Sequence, residues 1–115
     1  MNKEEFEELT VQAIDSLSEA FQEKLHNVTI IVEDSPEQNR KQAHLLGLYQ
    51  GIPNPYKGVN YTFVLPDKIT LFMLNILQYA AFQGKTPKQM IQEVLFHEIG
   101  HHFGLGEDEL EELSD

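Results

Sequence analysis

The chain has 115 residues, 8 basic against 19 acidic side chains, a formal net charge of −11 with His neutral, 41% hydrophobic residues and no cysteine. A single domain over residues 1–115 is expected at this length, with enough apolar material for one core, which excludes disorder as a description of the whole. The absence of cysteine excludes disulfides, iron–sulfur clusters and Cys-rich zinc modules, and the acidic balance works against any sequence-independent hold on phosphate backbones, so nucleic acid is not an expected partner.

The start, Met1-Asn2-Lys3-Glu4-Glu5-Phe6, carries acids where a signal peptide has a basic region. No segment approaches the roughly 18 apolar residues of a membrane span, so a cytoplasmic protein with no membrane partner is expected. Phe6, Leu9, Ala13, Ile14, Leu17, Ala20, Phe21 and Leu25 then recur at three- and four-residue steps, which predicts one amphipathic helix with its glutamates at the positive end of the dipole. Val28 to Glu33 is β-branched and stopped by Asp34-Ser35-Pro36, a buried strand. Residues 37 to 43 read as a helical turn, and His44 to Gln50 as a second strand with a glycine inside it. Residues 51 to 58, with two prolines and two glycines, form a loop. Tyr61 to Val64 reads as a short strand, Ile69 to Met73 as the strongest of the later strands, and Leu74 to Phe82 turns to helical spacing. Thr86-Pro87-Lys88-Gln89 has the N-cap, first-position proline and reciprocal glutamine of a helix start, and Gly104 is placed to end that helix. The order predicts an α+β (mixed α/β) fold: a small twisted sheet of three or four strands, an N-terminal helix and a C-terminal helix that carries the chemistry.

That chemistry lies in His97-Glu98-Ile99-Gly100-His101. Four residues advance a helix about 6 Å and turn it about 40° past a full turn, so both imidazoles project from one face and converge on a single ion. Glu98 sits about 100° round from His97, where it flanks the ion without ligating it, the place of a general base. Composition alone predicts about 0.03 such patterns in a chain of this usage, and roughly 0.0003 once Gly104 and an acid at 107 are also required.

Two imidazoles leave a zinc site short of a third protein ligand. A break at Gly104 returns the chain so that Glu107 reaches the ion, with Asp108 and then Glu109 as the alternatives. Glu93 is excluded as a ligand together with His101, because the two lie about 12 Å apart along the axis. His102 is rotated about 100° from His101 and is read as a supporting or packing histidine. His26 and His44 are isolated and are read as ordinary surface or boundary histidines.

The pattern His97-Glu98-x-x-His101-x-x-Gly104-x-x-Glu107 resembles the metzincin form of the zincin motif, with an acid where most metzincins have a third His. Together with Leu45-Leu46-Gly47-Leu48-Tyr49-Gln50-Gly51-Ile52-Pro53 and Leu65-Pro66-Asp67-Lys68-Ile69, it is similar to the small bacterial metallopeptidase family of minimal zincin-like domains, over roughly residues 5 to 112. The sequence departs from that family at Gly106-Glu107-Asp108, where an Asp is usual at the third-ligand position. The resemblance implies a zincin-like fold, one Zn2+ ion on His97, His101 and the acid at 107, and Glu98 as the base of a peptidase acting on a peptide or protein substrate. It also implies that the strand around Ile69 to Met73 borders the cleft and pairs with an extended substrate. Tyr49 and Tyr61 are candidates to stabilise an oxyanion, with packing in the core as their plainer reading. A metal-dependent nuclease is opposed by Glu98 and by the charge. A non-catalytic zinc-containing peptide-binding module on the same scaffold is the alternative to the enzyme.

Overall fold

Asn2 starts the first helix by accepting from the Glu5 amide on its side-chain oxygen (2.8 Å) while Glu5 Oε1 accepts from the Asn2 amide (3.1 Å), a reciprocal cap that satisfies two otherwise orphaned donors. In this computed structural model, which describes residues 1–36, 43–51 and 66–103 and, for 101–103, the backbone alone, the helix runs as α1 over Lys3–Asp15. The one helix predicted through Leu25 is in fact two. Ser16 turns its hydroxyl back onto the Gln12 carbonyl (2.9 Å) and caps α1, and Ser18 accepts from the Phe21 amide (3.2 Å) to begin α2, Glu19–Lys24. Serine offers the backbone these alternative bonds, which hydrophobic periodicity does not register. Leu17 stays buried across the break, and so do Phe21 and Leu25 beyond it.

Asn27, at φ 61°, turns the chain into β1, Val28–Glu33, whose bounds are those expected. Asparagine is among the few side chains that tolerate this left-handed conformation. Strand β2 spans Gly47–Gln50, shorter than the predicted His44–Gln50, and β3 spans Asp67–Phe72, opening two residues before the predicted start. Met73, predicted to end that strand, begins α3, Met73–Gln83, with no intervening loop. Gly84, at φ 69°, ends α3 in the left-handed conformation that costs glycine least. Helix α4, Pro87–Phe103, starts where predicted, with Thr86 and Gln89 exchanging side-chain and backbone bonds at 3.1 and 3.0 Å. Residues 37–42 of the predicted turn, most of the loop after Gly51 and the strand predicted at 61–64 lie outside the described residues.

The sheet has the order β1-β3-β2. Strands β1 and β3 run parallel from Val28↔Asp67 to Glu33↔Phe72, and β2 pairs antiparallel with β3 from Gly47↔Leu71 to Gln50↔Lys68. The expectation that the strand around Ile69 borders the cleft is therefore corrected: β3 is central, with both of its edges paired. Its unbroken buried run Ile69-Thr70-Leu71-Phe72 is what such a position requires. Among the described residues, β2 is the outer strand beside α4.

Phe6, Phe21, Ile69, Leu71, Ile76, Met90, Ile91, Leu95 and Ile99 are fully buried and belong to one cluster that joins the helices to the sheet. Each large side chain removed from water in this way contributes roughly 1.5–3 kcal/mol. The Phe21 and Phe96 rings meet edge to face at 4.6 Å, and Gln92 Nε2 donates to the Ala13 carbonyl (3.0 Å), tying α4 to the N-terminal helices. These observations give an α+β fold in which α4 is held along its inner side by the core.

Candidate metal and catalytic site

Helix α4 is two-sided. Met90, Ile91, Val94, Leu95 and Ile99 are sunk in the core, while Glu93 and His97 are exposed and Glu98 is half-buried between them and the sheet. The helical backbone is unbroken from Pro87 to Phe103, so His97 and His101 stand one turn apart on one stripe, the arrangement that their spacing predicts. The side chains of His101 and His102 lie outside the described residues, as do Gly104, Glu107, Asp108, Glu109 and Tyr61. Among the described residues no three metal-binding side chains gather. The donors that the sequence offers nonetheless fit zinc chemically: two imidazoles one turn apart with a carboxylate between them that is turned to another partner.

That partner is the edge strand. The Tyr49 amide donates to Glu98 Oε2 at 3.2 Å, so the carboxylate is anchored on β2. Such an approach of strand to helix needs a residue without a side chain at Gly47, where a Cβ would stand 2.7 Å from Val94 Cγ1, 3.3 Å from the Thr70 carbonyl oxygen and 3.5 Å from Glu98 Cγ. A glycine inside a strand marks this kind of close approach, and it was the legible signal in the sequence. The Tyr49 ring packs against the core, and its hydroxyl donates to Asp67 Oδ2 at 2.8 Å. Burial, then the bond to Asp67 and the charge of that carboxylate, push the phenol well above its ordinary pKa. Tyr49 thus follows the packing reading: its hydroxyl braces β2 on the first residue of β3.

A second brace lies just ahead of β2. Asn75, in the first turn of α3, donates from Nδ2 to the carbonyls of Leu45 (2.7 Å) and Ala43 (3.0 Å). The stretch it holds brings His44 to a cavity of about 270 Å3 between β2, α3 and α4, whose lining also includes Leu46, Tyr79, Val94, His97 and Glu98. His44 is exposed, in keeping with its reading as a surface or boundary histidine, and Tyr79, isolated in the chain, carries no signal in the sequence that would place it at this cavity. Glu93, excluded as a ligand by its spacing, accepts from Lys85 Nζ at 2.6 Å in a solvent-exposed pair. His26 is exposed at the end of α2, as read.

Helix, edge strand and cleft in this order are consistent with a zincin-like architecture, with the helix that carries His97 and Glu98 beside an antiparallel edge strand. The sequence profile of the zincin-like metallopeptidases matches residues 25–115, and the chain belongs to that family. The family implies a zinc cofactor and hydrolytic chemistry. Comparison with curated proteins gives no match. No helix among the described residues is long and apolar enough to cross a membrane.

Proposed function

We propose that this chain is a zinc-dependent peptidase that holds one ion through His97, His101 and Glu107, with Asp108 as the alternative third donor, and uses Glu98 as its general base. The observation that carries the reading is the Tyr49 amide bond to Glu98 Oε2. It fixes the carboxylate beside His97 at the wall of a cavity and leaves its second oxygen to meet a proton. A zinc ion held there supplies Lewis acidity toward water and the peptide carbonyl. Glu98 takes the proton of the attacking water and returns it to the departing amine, so that the peptide bond breaks with no net change in the enzyme's protonation. The Tyr49 amide keeps one carboxylate oxygen in place through both transfers, and the Tyr49–Asp67 bond keeps that amide in place. The substrate is a peptide or protein, and a net charge of −11 disfavours nucleic acid in this cleft.

The test combines metal analysis with turnover. Protein purified without added metal is expected to carry close to one zinc per chain by mass spectrometry, and the double variant His97→Ala, His101→Ala to carry none. Glu98→Gln is expected to keep the metal and to cut a peptide mixture roughly a hundred- to ten-thousand-fold more slowly. Undiminished cutting by Glu98→Gln removes the assignment of the base. A chain that neither holds nor takes up zinc removes the enzyme and leaves a peptide-binding module.

A further inference from the structure

Helix α3 differs from the others in charge. Helix α1 carries Lys3, Glu4, Glu5, Glu7, Glu8 and Asp15, and α4 carries Lys88, Glu93 and Glu98, whereas Met73–Gln83 contains no charged residue in a chain of net charge −11. Its inner side is in the core through Met73, Ile76 and Ala80. On its outer side Leu74 (50% exposed), Gln78 and Phe82 (83% exposed) follow one another a turn apart. Tyr79 (43% exposed) stands on the adjoining stripe, stacked on Phe82 at 6.4 Å between ring centroids. Three of the five large apolar side chains exposed among the described residues thus share one face of one helix. A contiguous patch of that kind marks an interaction surface, which single exposed residues do not.

The chemistry of the face selects its occupant. An anionic membrane is repelled by the net charge and finds no Lys or Arg on α3. A partner that recognises charge, of either sign, finds none there to read. A second copy of the chain meets each feature with its counterpart. The polar side chains of α3, Asn75, Gln78 and Gln83, are amides, which carry donor and acceptor together and so can pair with themselves. The relief is self-complementary too. Phe82 projects, and the same face holds a cavity of about 470 Å3 whose lining includes Ala43, His44, Leu46, Asn75 and Tyr79. Asn75 is tied to the carbonyls of Ala43 and Leu45, so these residues gather at its end of the helix. A two-fold axis at Gln78 sets two α3 helices antiparallel and brings Phe82 of each copy to the Asn75 end of the other.

We propose that the outer face of α3 is a homodimer interface, in which Phe82 of each copy enters the cavity beside Asn75 of the other. A helix of 11 residues is about 16 Å long, so the contact is small beside the roughly 800 Å2 per partner of a standard interface, and the dimer forms at concentrations on the order of 10–100 μM. Its dependence on salt is diagnostic. Two bodies of like charge joined through an uncharged face repel each other elsewhere, so screening tightens the dimer, whereas a dimer held by ion pairs loosens. The cavity shares His44, Leu46 and Tyr79 with the one beside His97 and Glu98, so the second copy covers one approach to the candidate site. The dimer itself does not depend on the peptidase reading.

Sedimentation velocity of the chain, from about 5 to 500 μM and at about 0.05 and 0.5 M sodium chloride, reads both concentration and salt dependence. A shift from monomer to dimer is expected, with a midpoint at least about threefold lower at the higher salt. Phe82→Ser, at a position with little burial to lose, is expected to raise the midpoint at least about tenfold, while Val11→Ser, at an exposed apolar position of α1, leaves it in place. Matching far-UV spectra and thermal melts of Phe82→Ser and the wild type exclude unfolding as the cause. Because the chain has no cysteine, Gln78→Cys introduces a single thiol per molecule, and a short bis-maleimide is expected to join two copies of it but not two copies of Val11→Cys. A monomer throughout overturns the proposal, as does a dimer that loosens with salt or ignores Phe82→Ser. Association that continues beyond two copies, or equal cross-linking of the two thiol variants, overturns the two-fold pairing and the proposal with it.

Discussion

Strand β1 meets β3 over six residue pairs and turns Val28, Ile30 and Val32 toward the helices, whereas β2 meets β3 over four and adds to its own packing on α4 a set of polar contacts: the Tyr49 amide on Glu98, the Tyr49 hydroxyl on Asp67 and, just ahead of the strand, Asn75 on the carbonyls of Ala43 and Leu45. The first flank is secured by area, the second by area and direction together. Apolar contact is non-directional and tolerates small shifts, so it supplies stability, while a hydrogen bond specifies where an atom stands and contributes only about 1 kcal/mol net. The chain places its candidate base on the flank where position is specified.

Mutations on the two flanks should therefore differ in kind as well as in size. The largest effect is expected on the apolar side. Phe21→Ala empties the space against Phe96 and should cost about 3–5 kcal/mol in urea unfolding, while any zinc content and the stoichiometry of the folded protein stay unchanged. On the other flank, Gly47→Ala drives a Cβ into Val94 and the Thr70 carbonyl and should cost about 1–3 kcal/mol, and it should lower turnover more than that loss implies because Glu98 moves with the strand. Equal losses of turnover in both variants, at matched folded fraction, would erase the distinction between the flanks.

The smallest effect sharpens the comparison most. Tyr49→Phe removes the bond to Asp67 and should cost about 1 kcal/mol. Its signature is in the pH dependence. Because the folded phenol holds its proton more tightly than the unfolded one, its contribution is fully present below the unfolded pKa of about 10 and is lost as pH rises beyond it. The stability of the wild type should therefore fall more steeply than that of Tyr49→Phe above about pH 10, and the two should run parallel near neutrality, as read from thermal melts across that range.

What could be read from the sequence follows the same division. The strand Val28–Glu33, the start of α4 and the helical register of His97, Glu98 and His101 depend on local pattern, and each was legible. The split of the first helix was not, because it rests on two serine hydroxyls that leave the apolar spacing intact. Nor was the exchange of places between the two strands beyond β1. Residues 69–72 and 47–50 both read as strands, and only the pairing shows that the former is central and the latter lies at the cleft. At the site itself, the spacing points to Glu98 as a candidate base, but its anchor is not legible, since the donor is a backbone amide 49 residues away and carries no side-chain signature.

The separations along the chain of the contacts that fix β2 have a consequence for the order in which the molecule assembles. Tyr49 reaches Asp67, Leu45 waits for Asn75, and the Tyr49 amide waits for Glu98, at distances of 18, 30 and 49 residues. Each closure costs loop entropy that only the later contact repays, and on a ribosome each partner emerges well after the strand that needs it. The edge strand is thus synthesised early and fixed late. The candidate site comes into being in the same event that completes the fold, and a nascent chain still lacking α4 has neither Glu98 nor the cavity beside it.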